Sequence, residues 1–195
     1  MANRVILITG TPCVGKTAVA KKLAEQLNAI YINLTELALK HNLILCEDKK
    51  RHTTVVDERK MKAKISDIIE TAGKTYVVID GHYASAVTPK EKVTHAFVLR
   101  RNPIQLREFM EKCGFKNQKL WENLASEILD VCLVETVREQ EAEKVCELDV
   151  TNKTVEEVTK EITAVIYDRK KCHFGGIDWL GMLEKDGKLE EYLRI

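Results

Sequence analysis

The order of apolar runs predicts an α/β fold with a five-stranded parallel sheet covered by helices on both faces. Short β-branched apolar runs alternate with segments whose apolar residues recur at helical spacing, the pattern of strands joined by crossover helices. The strand runs are apolar throughout rather than alternating with polar residues, as suits strands buried on both sides. A composition of 45% apolar and 31% charged residues in 195 fits one globular domain, residues 1–195, with a sizeable core.

The strand at Arg4–Thr9, R-V-I-L-I-T, opens the series, and Tyr76–Asp80 and residues 95–99 repeat its character. Residues 29–33 and 146–150 supply two shorter strands. Helical spacing fills the intervals: Val19, Leu23 and Leu27 share one face of a helix over 17–27. Asp57 is placed to cap a helix that runs to about Thr71 and stops near Gly73. Pro103 suits the first turn of a helix ending before Gly114. Leu120, Leu124, Ile128, Val131 and Glu135 mark one further helix continuing toward Val145. T-V-E-E at 154–157 is a capping box that opens a last helix through Tyr167. The polar stretches at 46–54 and 114–119 read as excursions from the sheet. Residues 171–195 read as an irregular extension packed through Trp179 and Leu180.

A net charge of +1 gives no global pull toward nucleic acid or membrane. No apolar run approaches the length of a spanning helix, and the apolar N-terminal run is too short for a signal peptide, so a cytoplasmic protein is expected. The six cysteines show no C-x-x-C spacing. A disulfide framework is not expected, and most of these residues read as small buried hydrophobes.

Chemistry enters at G-T-P-C-V-G-K-T, residues 10–17, which satisfies G-x-x-x-x-G-K-[ST] directly after a strand and at the start of a helix. Glycines let such a loop turn its N–H groups inward around an anion, and the helix N-terminus adds its dipole. This is the P-loop of a P-loop NTPase. Lys16 can reach the terminal phosphates of ATP, and the Thr17 hydroxyl can coordinate Mg²⁺. Cys13 and Val14 are variable positions inside the loop.

V-I-D-G-H follows Walker B logic: an apolar strand delivers Asp80 to its C-terminal edge, where open α/β sheets bind ligands. Asp80 is a candidate metal ligand, directly or through water. His82 can orient a water or contact the metal shell. Guanine specificity is not expected, because T-N-K-T at 151–154 is followed by Val155 where N-K-x-D needs its aspartate, and D-G-H-Y lacks the glycine of D-x-x-G.

With G-T-P-C-V-G-K-T, Y-I-N-L-T-E-L, V-V-D-E, V-I-D-G-H, F-V-L-R-R-N-P and K-L-W-E-N-L-A-S-E-I-L in this order, the chain resembles the adenylate kinase isoenzyme 6 family of archaea and eukaryotes over roughly residues 3–170. The G-G-I-D-W-L segment is similar to the archaeal branch. The resemblance implies a nucleoside-monophosphate-kinase-like fold with a short monophosphate-binding insertion, about 33–56, and a short lid, about 113–123. It implies reversible phosphoryl transfer from ATP to AMP or another nucleoside monophosphate, together with ATPase activity. It also implies a part in late small-ribosomal-subunit maturation and rRNA processing, by transient binding of a platform ribosomal protein (the eleventh in universal numbering) and indirect association with pre-ribosomal RNA.

Carried onto this sequence, Gly10, Cys13, Val14, Gly15, Lys16, Thr17 and Ala18 surround the ATP phosphates, and Lys153 lies beside the base. Lys16, Asp80 and His82 are the catalytic candidates, with Thr17 and Asp80 toward the metal. Asn33, Lys40, Arg51 and Asp57 fall on the acceptor side, with Arg101 and Arg107 from the segment after the 95–99 strand.

The chain departs from the family pattern at three positions. Phe109 and Cys113 stand where the family has two arginines near the lid, and Leu39 replaces an arginine of the monophosphate region. Phosphoryl transfer depends on positive charge held around the transferring group, so these changes bear on the acceptor half of the site. Three readings stay open: a broad monophosphate kinase, a mainly hydrolytic ATPase switch, and a P-loop kinase of another small metabolite.

Overall fold

The computed structural model describes residues 4–48, 53–73 and 75–194. Arg51 lies outside the described residues. Five strands, β1 (Arg4–Thr9), β2 (Ile30–Asn33), β5 (Tyr76–Asp80), β6 (Val93–Arg100) and β7 (Val145–Asp149), form one sheet in the order β2-β5-β1-β6-β7. All four pairings are parallel, with Ile8 opposite Asp80 on one side of β1 and Phe97 on the other. Each strand therefore ends at the same edge, and the loops that follow β1 and β5 emerge side by side.

The alternation of side chains along β1 divides the core. Ile6 and Ile8 face a layer built from α1 (Lys16–Leu27), α5 (Pro103–Lys112), α6 (Asn117–Ile128) and α8 (Val155–Ile166). Val5 and Leu7 face the opposite layer of α2 (Leu34–Lys40), α3 (Glu58–Thr71), α4 (Ala84–Val87) and α7 (Val131–Glu139). The expected caps are present. Asp57 accepts from the Lys60 N–H at 3.0 Å, and Thr154 and Glu157 form the reciprocal capping box of α8.

The excursion expected at 46–54 leaves the main sheet: among the described residues, β3 (Ile44–Asp48) pairs antiparallel with β4 (Thr53–Val56) in a separate two-stranded sheet that follows α2. Three expectations are corrected. The helix expected to run from Leu120 toward Val145 breaks at Asp130, whose φ of 57° ends α6 and starts α7. Aspartate tolerates this left-handed conformation, and there its carboxylate pairs with Arg100. The extension is not irregular throughout: it holds α9 (Trp179–Lys185) and α10 (Leu189–Tyr192), pinned by buried Trp179, Leu183 and Tyr192, whereas Leu180 is exposed. Finally, Cys146 of β7 and Cys172 form a disulfide with Cα atoms 4.9 Å apart, while Cys46 and Cys113 are exposed. Sequence spacing is silent about a pair of cysteines brought together by a strand and a returning tail. Among the described residues no helix is long and apolar enough to cross a membrane.

Candidate active site

The backbone angles of the loop between β1 and α1 are those of a tight, inward-turned loop. Gly10 has φ 134° and Gly15 φ 107°, and a Cβ at Gly10 would collide with the Leu99 carbonyl. Cys13 holds φ 67°, a conformation that an ordinary side chain disfavours. Helix α1 follows its N-cap Gly15, with no side-chain cap and no acidic residue in its first turn. Its leading N–H groups and dipole are thus left to an anion, which is the condition for a phosphate cradle.

Lys16 turns back into this loop and donates from Nζ to the Thr11 carbonyl at 2.8 Å. Part of its stem stays open to solvent, but the ammonium is crowded by protein, and this burial draws its pKa below the ordinary value. The Cys132 thiol and Asp80 act in the opposite direction. A phosphate held by the loop would favour the charged ammonium further.

Asp80 is 1% exposed at the end of β5, and three donors converge on its Oδ2: Thr17 Oγ1 at 2.7 Å, Asn33 Nδ2 at 2.9 Å and Tyr31 OH at 3.0 Å. A hydroxyl and a carboxylate make a hard oxygen pair of the kind that holds Mg²⁺, whose remaining positions are filled by water and substrate phosphates. Among the described residues no group of three or more His, Cys, Asp or Glu side chains makes a metal cage. Thr17 and Asp80 therefore fit a cation that arrives with a nucleotide.

His82 stands at the mouth of the site, exposed on its outer side with protein packed behind the ring. That crowding, and then the nearby Lys16 ammonium, push its pKa down to about 4. Its carbonyl accepts from Thr9 Oγ1 at 3.1 Å, and its ring meets Tyr83 edge-on.

The other site candidates divide. Arg101 is buried, donates from Nε and Nη2 to the Val14 carbonyl at 3.3 and 3.1 Å, and lies over the Phe109 ring at 4.8 Å. Ala18 is exposed on the first turn of α1. Lys153 donates to Glu161 at 2.6 Å. Asn33 bridges two elements, capping α2 through the Glu36 N–H while reaching Asp80. Asp57 caps α3, and Lys40 lies exposed at the end of α2. Arg107 stands apart from this cluster, paired with Glu111 and Glu191 and stacked on Trp121 and Tyr192.

A cleft of about 390 Å³ lies along β2, between it and α2 and α3, lined by Tyr31, Asn33, Glu36, Lys40, His41 and Lys64 among others. A larger one, about 680 Å³ between α3, α4 and α7, contains none of the candidate residues and lies away from the phosphate loop.

Comparison with known proteins adds to this geometry. A family profile described as an AAA domain matches residues 6–130. A protein of Methanocaldococcus jannaschii named "Putative adenylate kinase" is 40% identical over 174 residues, 89% of this chain and 92% of that one. A protein of the same name from Pyrococcus furiosus is 37% identical over 191 residues, 98% of each chain. The chain belongs to this archaeal family, and its P-loop region is an AAA domain. The fold of this family member is that of P-loop kinases. It overlays on shikimate kinase from Acinetobacter baumannii with a TM-score of 0.61 at 14% identity, covering 87% of this chain and 95% of that one. Thymidylate kinase from Candida albicans overlays with a TM-score of 0.55 at 15% identity, covering 86% and 92%.

Sequence reasoning overlooked several residues that the structure places at or behind the phosphate loop and Asp80. Tyr31 reaches Asp80 from the edge strand β2, and Thr11 bonds Glu127 across the sheet edge. Glu127 carried a signal: it is an acidic residue three positions after Leu124 on the apolar face of α6, where a charge needs partners. Arg100 carried a weaker one, as an arginine closing a buried strand.

Proposed function

We propose that the chain is a Mg-ATP-dependent phosphotransferase: an adenylate kinase with breadth toward other nucleoside monophosphates, which also hydrolyses ATP when water takes the acceptor's place. The observation that carries this reading is the Thr17–Asp80 pair, 2.7 Å apart at the foot of an uncapped helix and a glycine-shaped loop. The loop and the α1 N-terminus bind the β and γ phosphates, and Arg101 braces the loop from outside through the Val14 carbonyl. Lys16 leaves the Thr11 carbonyl to meet the transferring group, where its charge offsets what develops on the equatorial oxygens. Mg²⁺ held through Thr17 and Asp80 would neutralise phosphate charge and fix the phosphate orientation. His82, neutral at pH 7, is placed to orient a hydroxyl or water at the mouth. The cleft beside Asn33, with Lys40 and Lys64 on its walls, supports an anionic acceptor.

One observation favours a second reading, a mainly hydrolytic ATPase. Leu39 is 60% exposed on the acceptor side, and Phe109 serves as the platform under Arg101, so neither position offers a cation to the acceptor phosphate. In that reading hydrolysis times the release of a bound protein, and the ribosomal platform protein implied by the resemblance is the proposed partner.

An acceptor panel tests the proposal. With Mg-ATP, transfer to AMP above that to shikimate, gluconate or other non-nucleotide acceptors is expected. Turnover of a non-nucleotide acceptor with AMP untouched would overturn it.

A further inference from the structure

Glu127 is 1% exposed, and both of its carboxylate oxygens are engaged. Oε2 accepts from the Thr11 hydroxyl at 2.5 Å. Oε1 accepts from Arg100 Nε at 2.9 Å, the Arg101 N–H at 3.0 Å and the Trp179 indole N–H at 3.2 Å. The same carboxylate thus grips the phosphate loop twice: directly at Thr11, and through Arg101, whose guanidinium holds the Val14 carbonyl. Thr11 is also the residue whose carbonyl receives Lys16. Once Lys16 turns to a phosphate, the Thr11 hydroxyl on Glu127 remains as a fixed anchor of that side of the loop.

The C-terminal segment completes this anchor. Arg100 is surrounded by three carboxylates, those of Glu127, Asp130 and Glu147. One guanidinium does not balance three anions, and buried carboxylates are costly unless further donors reach them. The tail brings those donors: Trp179 Nε1 to Glu127, and the Gly175 and Gly176 N–H groups to Glu147 Oε2 at 2.9 and 3.1 Å. The Glu147 N–H returns a bond to the His173 carbonyl at 2.8 Å. Asn102, beside Arg101, donates to the Met182 sulfur. Buried Leu183 and Tyr192 seat the rest of the segment on the core.

We infer that Glu127 is a positioning residue for the phosphate loop, and that residues 172–192, through Trp179, belong to the nucleotide-binding unit, so that tail docking and nucleotide binding favour each other. This rests on the reading of residues 10–17 as a nucleotide site. Coupling between two sites is reciprocal. A docked tail holds the loop in its binding shape, and a bound nucleotide, by fixing Thr11, holds Glu127 where Trp179, Gly175 and Gly176 find their partners.

The test is amide hydrogen exchange on the full chain, with and without the Mg²⁺ complex of a non-hydrolysable ATP analogue, paired with calorimetric titration of the same ligand. Binding together with slower exchange at residues 173–185 is expected. Trp179→Phe keeps an aromatic ring and deletes the N–H; it is expected to weaken the analogue about three- to tenfold, less than the roughly tenfold or more of a whole hydrogen bond to a charged group, because only the share carried through Glu127 to the loop reaches the ligand. In turnover, the loss falls on KM for ATP rather than on kcat. Thr11→Val, at the other end of the chain of contacts, is expected to abolish the nucleotide-induced protection of the tail. It also decides the matter if Trp179→Phe does not fold. Binding that leaves tail exchange unchanged, or a Trp179→Phe protein with unaltered affinity, would overturn the inference and leave the nucleotide site standing. No binding at all would overturn both.

Discussion

Thr17 Oγ1 donates to Asp80 Oδ2 at 2.7 Å, joining the first residue after the phosphate-loop lysine to the end of the neighbouring strand. The parallel pairing of β1 with β5 sets this meeting, because it brings Asp80 level with Ile8. The two side chains tie the loop to the strand end, and they are the pair proposed to face the cation. Asp80→Ala removes one proposed hard ligand and the acceptor for three donors. Turnover with Mg-ATP is expected to fall on the order of a hundredfold or more, as for loss of a group that stabilises transferring charge. Retained turnover at saturating Mg²⁺ would exclude Asp80 from the reaction.

His82 gives a pH signature. Its folded pKa of about 4 lies below the ordinary 6.5. The folded protein therefore resists protonation that the unfolded chain accepts. The contribution to stability is fully present above about pH 6.5 and is lost as pH falls toward 4. An NMR titration of the His82 ring should show a midpoint near 4, and His82→Asn should flatten the pH dependence of Tm over that window. A midpoint near 6.5 would contradict the crowded setting described for the ring.

Arg101 holds the Val14 carbonyl with two nitrogens of its planar fork while lying on Phe109. Lysine reproduces the charge without the fork. Arg101→Lys should raise KM for ATP by about tenfold with a smaller change in kcat, since a loop brace acts on binding. Initial-rate kinetics over a range of ATP concentrations separate the two parameters.

Arg100 is the counter-charge of a buried cluster rather than a substrate ligand. Arg100→Met fills similar volume but leaves Glu127 and Glu147, both nearly without solvent contact, short of their cation. Breaking such a pair from one side costs about 3–5 kcal/mol. Urea unfolding should register that loss as a lower midpoint with an unchanged slope.

The sheet was legible because buried parallel strands are continuous apolar runs, and the phosphate loop because its glycines are demanded by backbone geometry at fixed spacing. Asp80 followed from the same logic of strand ends. The break at Asp130 was not legible: the apolar period continues smoothly through Leu129, and only the buried Arg100 supplies the reason to turn there. The paired strands Ile44–Asp48 and Thr53–Val56 were obscured by the run of charged and polar residues in that part of the sequence. The Glu127 cluster depends on contacts spanning up to 116 residues of sequence, as between Thr11 and Glu127, which no local period encodes. The tail concealed its helices for a similar reason, since Trp179 is placed by Glu127 rather than by its neighbours in sequence.

The most direct test of the central claim is a product-resolved turnover experiment: purified protein with Mg-ATP, with and without excess AMP, following ATP, ADP, AMP and inorganic phosphate separately by ³¹P NMR. AMP is expected to be consumed with two ADP formed per ATP, with slower release of phosphate when AMP is omitted. Phosphate with one ADP per ATP in both arms, and AMP untouched where it is added, would contradict the kinase claim and leave the site as a hydrolytic one.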